Sequence, residues 1–261
     1  MTTQKGLLET LSIGAGERRG SGGTVTTRFL SKLSILPSSL APLMYDLEQA
    51  TAHLADTDPV MRQVVEAVGP CRLEFARLDN PFQSLLRAIV YQQLSSKAAA
   101  TIHRRVLALY PGEHPDPDEL LDTPDETLRS AGLSRNKTAA AKDLARRTLD
   151  GTVPPRETLL AMDNDEIVER LTLVRGIGPW TAEMLLIFQL GRPDVLSATD
   201  LGVRNGFRRA YGLDELPTPK ELRDYGERWA PYRSVACWYL WRAADLVEWT
   251  APKAGIWRPE M

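Results

Sequence analysis

Cysteine and histidine are nearly missing from this chain of 261 residues. Cys71 and Cys237 cannot make a disulfide framework, and without a CxxC spacing they offer no zinc or iron–sulfur site. His53, His103 and His114 are scattered, which excludes the HExxH and zinc-deaminase patterns. Long apolar runs are missing too. The longest, Val235 to Trp241, is far too short to cross a bilayer. The first residues carry no apolar stretch of the signal-peptide kind, so a reducing, cytoplasmic setting without membrane attachment is the expectation. A strong charge of either sign is also lacking. Five basic and two acidic side chains give residues 1–40 a net +3, so the remainder carries −5 of a total of −2. An acidic domain still grips a polyanion where backbone amides and a local basic face meet it, so total charge leaves the partner open.

What is present is an ordinary globular composition, 43% hydrophobic and 25% charged, in a chain long enough for one large domain or two small ones. Residues 1–42 read as a flexible leader, because GAGERRGSGGTVTT has little to bury and much chain entropy to lose. Its glycines do not make a nucleotide site: the spacing is one residue too long for GxGxxG, and no Lys-Ser/Thr follows. Residues 43–261 read as the folded domain. From about Met44, helical periodicity dominates and strand alternation is nearly absent. Pro59 opens one helix, with Met61, Val64, Val65 and Val68 on a face, and Asn80-Pro81 opens another. Ser95 or Ser96 caps a helix over 97–110. Further helices are expected near 125–131, 136–149, 167–174, 180–190, 200–211, 219–229 and 232–247. No repeat of solenoid length occurs, so the expected class is a compact all-α domain.

The most informative segment is Leu173-Val174-Arg175-Gly176-Ile177-Gly178-Pro179-Trp180-Thr181-Ala182. A helix ends, two glycines bracket a tight turn, and Pro179 starts the next helix, where its missing N–H is harmless. Amides left over between Gly176 and Thr181 beside a helix N-terminus suit an anion such as a phosphate; an ordinary corner between helices fits the same residues. Downstream, Asp200 precedes a helix, and by position alone it is an N-cap. That place gives a negative charge amide donors and a positive dipole end.

LVRGIGPWTA closely resembles the hairpin of the helix-hairpin-helix DNA glycosylases. SATDLGVRNG (197–206) is similar to that family's catalytic-aspartate segment. ERWAPYRSVA (227–236) resembles a helix start in the 3-methyladenine DNA glycosylase II branch, and IVYQQLSSKAA (89–99) resembles the core helix pair of that branch. The resemblance spans roughly residues 55–248. It implies the helix-hairpin-helix glycosylase fold, two helical subdomains flanking a DNA-binding cleft, in a compact form without the β-rich domain of some bacterial relatives. It implies hydrolysis of the N-glycosidic bond of alkylated purines in double-stranded DNA during base excision repair, with Asp200 as the catalytic carboxylate. Relatives that also cut the backbone carry a lysine where this chain has Trp180, so a monofunctional enzyme is implied, needing no metal or organic cofactor.

The resemblance further aligns Trp180 and Trp241 with base-pocket tryptophans, with Trp238, Tyr239 and Met184 as neighbours. Aromatic faces attract cationic alkylated bases, although core packing explains such residues equally. The Gln92–Ser95 junction is similar to the wedge loop that fills the gap left by a flipped base, either Gln93 or Leu94 being the wedge, with Ser95 beside it. Lys97, Arg175, Arg204 and Arg208 are candidates for phosphate contacts with Gly176, Gly178 and Thr181, and each cation fits a solvated charge as well. The carbonyls of Thr172, Val174 and Ile177 are implied ligands of a structural monovalent cation. The expected oligomeric state is a monomer. Two other readings stay open: a non-catalytic module that binds DNA or senses damage, and a glycosylase for another damaged base.

Overall fold

A computed structural model of the chain describes residues 45–76 and 78–246, together with Trp249. The leader expected over residues 1–42 lies outside the described residues. Among the described residues the structure is α-helical with short 3-10 turns and no β-strand, the all-α class that the periodicity predicts. It divides into two compact units. Ala76–Leu185 belongs to the first; Leu40–Phe75 and Leu186–Met261, as far as they are described, belong to the second. No described helix is long and apolar enough to cross a membrane.

The second unit begins with α1 (Leu47–Thr57) and α2 (Pro59–Val68). Asp58 links them. Its Oδ1 accepts from the Val60 and Met61 amides at 2.9 and 3.2 Å, capping α2. Its Oδ2 accepts from the Tyr211 hydroxyl and, at 2.9 Å, from Trp229 Nε1. A buried carboxylate is costly unless hydrogen-bonded, and here both oxygens have donors. Burial first, and then the Asp58 charge, raise the Tyr211 hydroxyl well above its ordinary range, so it remains a donor. One carboxylate thereby fastens α2 to segments more than 150 residues away.

The first unit contains α3 (Pro81–Tyr91), α4 (Ser96–Leu107), α5 (Pro117–Asp122), α6 (Asp125–Ser130), α7 (Arg135–Leu149), α8 (Arg156–Ala161) and α9 (Asn164–Thr172), and α10 (Pro179–Phe188) starts in it. The helix starts follow local chemistry. Asn80, Ser95 and Ser134 each accept an amide of the turn that they cap. α7 is the spine of the unit, packing on α3, α5 and α6. Its inner face is Ala140, Ala141, Leu144 and Ala145, small enough for neighbouring helices to approach. Two expectations need correction here. α4 stops at Leu107 instead of Tyr110, because the Leu109 and Tyr110 amides bond back three residues and Pro111 follows. The expected helices also omit α1, α5 and α8, of which the last two, six residues each, are short for a periodic pattern.

The remainder of the second unit is α11 (Leu201–Ala210), α12 (Pro219–Gly226) and α13 (Arg233–Asp245). α11 and α13 lie in close contact because of Gly206. A Cβ there would fall far inside van der Waals contact distance of the Leu240 carbonyl oxygen. Only hydrogen fits.

Candidate active site

Asp200 is the N-cap of α11 and is fully buried. Its Oδ1 accepts from the Val203 amide at 2.7 Å and from Trp241 Nε1 at 2.8 Å. A main-chain donor from α11 and a side-chain donor from α13 therefore fix the same oxygen. The Trp241 indole is held in turn by stacking on Phe188, with centroids 5.6 Å apart and planes inclined at 26°. Gly202 completes the arrangement. A Cβ there would lie 2.9 Å from Trp241 Cδ1 and 3.0 Å from Asp200 Oδ1, so any side chain would push the pair apart. The N-cap expectation is met, on the residue to which the resemblance gives the catalytic role. A buried, hydrogen-bonded carboxylate at a helix N-terminus is a negative charge of fixed position, able to stabilise positive charge that develops beside it.

The segment leading to Asp200 is fastened to the start of α13. Arg233 donates to both oxygens of Asp194, Nε to Oδ1 at 2.6 Å and Nη2 to Oδ2 at 2.9 Å. Ser234 accepts from the Val195 amide and donates to the Arg192 carbonyl. The Ser197 amide reaches Cys237 Sγ at 3.4 Å. Arg233 and Ser234 of ERWAPYRSVA thus serve the Asp200 segment.

In the first unit, the hairpin between α9 and α10 divides its two glycines by task. Gly176 has φ +82°, a conformation that favours glycine. Gly178 does not; a Cβ there meets nothing within 4 Å and would project into open space. The expected row of spare amides is correspondingly shorter. Arg175 N–H donates to Asp143 Oδ2 at 2.8 Å, Ile177 N–H to the Val174 carbonyl, and Thr181 N–H to the Gly178 carbonyl. Thr181 is buried and takes part in the helix start, so its amide is not an anion donor. The Gly176 and Gly178 amides have no hydrogen-bond acceptor among the described residues. Of the three carbonyls expected to hold a cation, Val174 already accepts from Ile177, which leaves it one lone pair. Three neutral oxygens are the donor type that such an ion takes.

The loop joining α3 to α4 belongs to the same unit. Gln93 is exposed and has φ 59°, the left-handed region that non-glycine residues rarely adopt. Leu94 is half-buried, and Ser95 is committed to capping α4. Of the two wedge candidates, Gln93 is the exposed one. Lys97 and Arg175 are exposed, and Arg208 is half-buried.

Several expected positions are otherwise employed. Arg204 Nε donates to the Pro217 carbonyl at 2.8 Å, so its guanidinium braces the segment before α12. Met184 and Tyr239 are fully buried core residues. The Tyr239 hydroxyl serves the Gly69 carbonyl at 3.1 Å and Thr51 Oγ1 at 3.3 Å, and so binds α13 to the first two helices. Neither offers a face to a base. Trp238 is 6% exposed, edge-on to Tyr239 and covered by Arg242, which also places it in the packing. Trp180 is half-exposed at the start of α10.

The sequence matches the HhH-GPD superfamily of base excision DNA repair proteins over residues 86–231. It is 38% identical over 212 residues to DNA-3-methyladenine glycosylase 1 of Schizosaccharomyces pombe, covering 80% of this chain and 93% of that protein. It is 27% identical over 246 residues to DNA-3-methyladenine glycosylase 2 of Escherichia coli, covering 88% and 83%. Among solved structures, the Schizosaccharomyces pombe 3-methyladenine DNA glycosylase in complex with abasic DNA is similar at a TM-score of 0.68 and 38% identity, covering 77% of this chain and 99% of that one. A Bacillus halodurans DNA-3-methyladenine glycosidase gives the same TM-score at 39% identity, covering 75% and 88%.

Proposed function

The chain belongs to the HhH-GPD superfamily of base excision DNA repair proteins, and on that premise we propose that it is a monofunctional 3-methyladenine-type DNA glycosylase with Asp200 as its catalytic carboxylate. The observation that carries this reading is the double hydrogen bond holding Asp200 Oδ1 at the N-terminus of α11. As the glycosidic bond stretches, its electron pair leaves with the base and positive charge builds on the sugar. The fixed carboxylate stabilises that charge. Water then bonds to C1′ and gives up a proton, and Asp200 is the acceptor. An alkylated purine that is already cationic departs neutral, so the reaction makes little demand for a general acid. The hairpin supplies the grip: the Gly176 and Gly178 amides meet one phosphate of double-stranded DNA, and the three carbonyls hold a structural monovalent cation. The chain acts as a monomer.

Base release from duplexes that each carry one defined lesion tests the reading. Free alkylated base is expected with an intact abasic strand that breaks only after alkali. Borohydride is expected to trap no covalent complex, because the Trp180 indole has no lone pair to attack C1′. Trp180→Phe should keep part of the activity through its ring, and Trp180→Ala should lose most of it. A borohydride-trapped adduct that persists after removal of residues 1–42 would show lyase chemistry, and the monofunctional assignment would be wrong.

The grip has its own test. Gly178→Val places a branched side chain in the open space before the amides, and strains no backbone. Affinity for damaged and undamaged duplex should fall together, by about tenfold, the scale of losing one charged hydrogen-bond partner. Weakening confined to lesion-containing DNA would contradict a phosphate role.

A further inference from the structure

Three residues along one helix, Lys137, Ala140 and Asp143 of α7, touch the Gln93 loop or the hairpin, and one hydrogen bond joins loop and hairpin directly. Lys137, near the start of α7, donates from Nζ to the Val90 and Gln92 carbonyls, each at 2.7 Å. These carbonyls flank the end of α3, where a positive charge is favourable and the last turn of α3 holds no basic residue. The Gln92 carbonyl also immediately precedes Gln93, whose left-handed backbone persists only if its surroundings hold it. One turn along, Ala140 lies beneath Gly176, its Cβ 3.4 Å from where a Gly176 Cβ would stand. A further turn on, Asp143 takes the Arg175 amide. Gln92 closes the circuit, its Nε2 donating to the Gly176 carbonyl at 2.7 Å. Partial burial of Lys137, which lowers its ammonium from its ordinary range, is the cost of placing a cation there.

We propose that α7 acts as a ruler between the two DNA-contacting elements, with Lys137 and Gln92 as positioning residues that set the Gln93 loop at a fixed distance from the hairpin. This rests on the glycosylase reading above. Its physical content is that capture of the backbone by the hairpin also aims Gln93 at the base stack. The spacing matters only where a paired base must be forced out. A base with no partner opens at much lower cost, and the strut is then nearly dispensable. None of the four residues contacts DNA in this scheme, other than through the loop and turn that they position.

Duplexes with a single 7-methylguanine, hypoxanthine or ethenoadenine, placed opposite its usual partner or opposite an abasic analogue, separate the roles. The lesion that the wild-type protein releases fastest is carried forward. Lys137→Met and Gln92→Ala should each slow release from the paired lesion by about tenfold, yet stay within about threefold of wild type on the unpaired one. Asp200→Asn should lose activity on both. Equal loss on both substrates in the strut variants, or no loss on either, would overturn the proposal. If Lys137→Met does not fold, Gln92→Ala decides, because truncating a half-exposed side chain leaves no core cavity. Absence of release by the wild-type protein would instead remove the glycosylase reading and the proposal with it, whereas full activity of Asp200→Asn would remove only the catalytic role of Asp200 and leave the comparison of strut variants to decide.

Discussion

Asp200→Asn is expected to reduce base release by about a thousandfold or more while the protein stays folded and still binds abasic-site DNA. Asparagine caps helices as well as aspartate does, and its amide oxygen can accept from the Val203 amide and Trp241 Nε1. Geometry survives; charge does not. The charge is the part that a developing sugar cation requires. Trp241→Phe makes the complementary change. It keeps a ring against Phe188 and removes one donor from a buried carboxylate. A hydrogen bond to a charged group contributes about 1.5–3 kcal/mol, so a loss of about ten- to a hundredfold in release is expected. Single-turnover release from an alkylated duplex, with thermal unfolding measured alongside, checks both. An asparagine variant within about threefold of wild type would mean that the charge at Asp200 does not drive the reaction.

Gly206→Ala should be the most damaging exchange in the second unit. Alanine in a helix interior is normally more favourable than glycine by about 1 kcal/mol. Here the sign reverses. The added methyl would overlap the backbone of Leu240, and a rigid carbonyl cannot swing aside. α11 and α13 would have to separate, at a cost of roughly 3 kcal/mol or more, a large share of the stability of a typical domain. Asp200 caps one of these helices and Trp241 sits on the other, so activity should fall together with the unfolding midpoint. Gly202→Ala gives the contrast. Its methyl meets side-chain atoms of Trp241 and Asp200 at 2.9–3.0 Å, which can shift by a few tenths of an ångström. It should fold with modest loss of stability and yet lose activity, because the atoms that move are those of the site. Chemical denaturation of the two variants separates these outcomes. A Gly206→Ala protein as stable as wild type would show that α11 and α13 tolerate a wider spacing.

Much of this was legible in sequence because it depends on near neighbours. Asn80, Ser95 and Ser134 mark helix starts by capping amides three residues away. Pro59, Pro81, Pro179 and Pro219 occupy first turns, where a missing N–H is harmless. The Gly-Ile-Gly turn and the aspartate before α11 are local as well, which is why the motif residues could be named from their order alone. The roles of the aromatics were not legible. Trp180, Trp238, Tyr239 and Trp241 share a chemistry that suits a base pocket and a core equally, and burial separates them only after the helices have packed. Arg204 reads as a phosphate ligand until the carbonyl of Pro217 is found beside it.

By itself, the sequence determined the helical class, most of the helix starts, the hairpin and the position of the carboxylate, since capping, φ restriction and periodicity act over a turn or less. Only the tertiary structure decided which glycine of the hairpin lies against Ala140 and which faces open space, because that depends on where α7 packs. It alone paired Trp241 with Asp200 across 41 residues and Gln92 with Gly176 across 84. It alone brought out Lys137 and Asp143, which no motif contains. Their hydrogen bonds are directional and reach about 3 Å, so they exist only where packing has already brought distant segments of chain together.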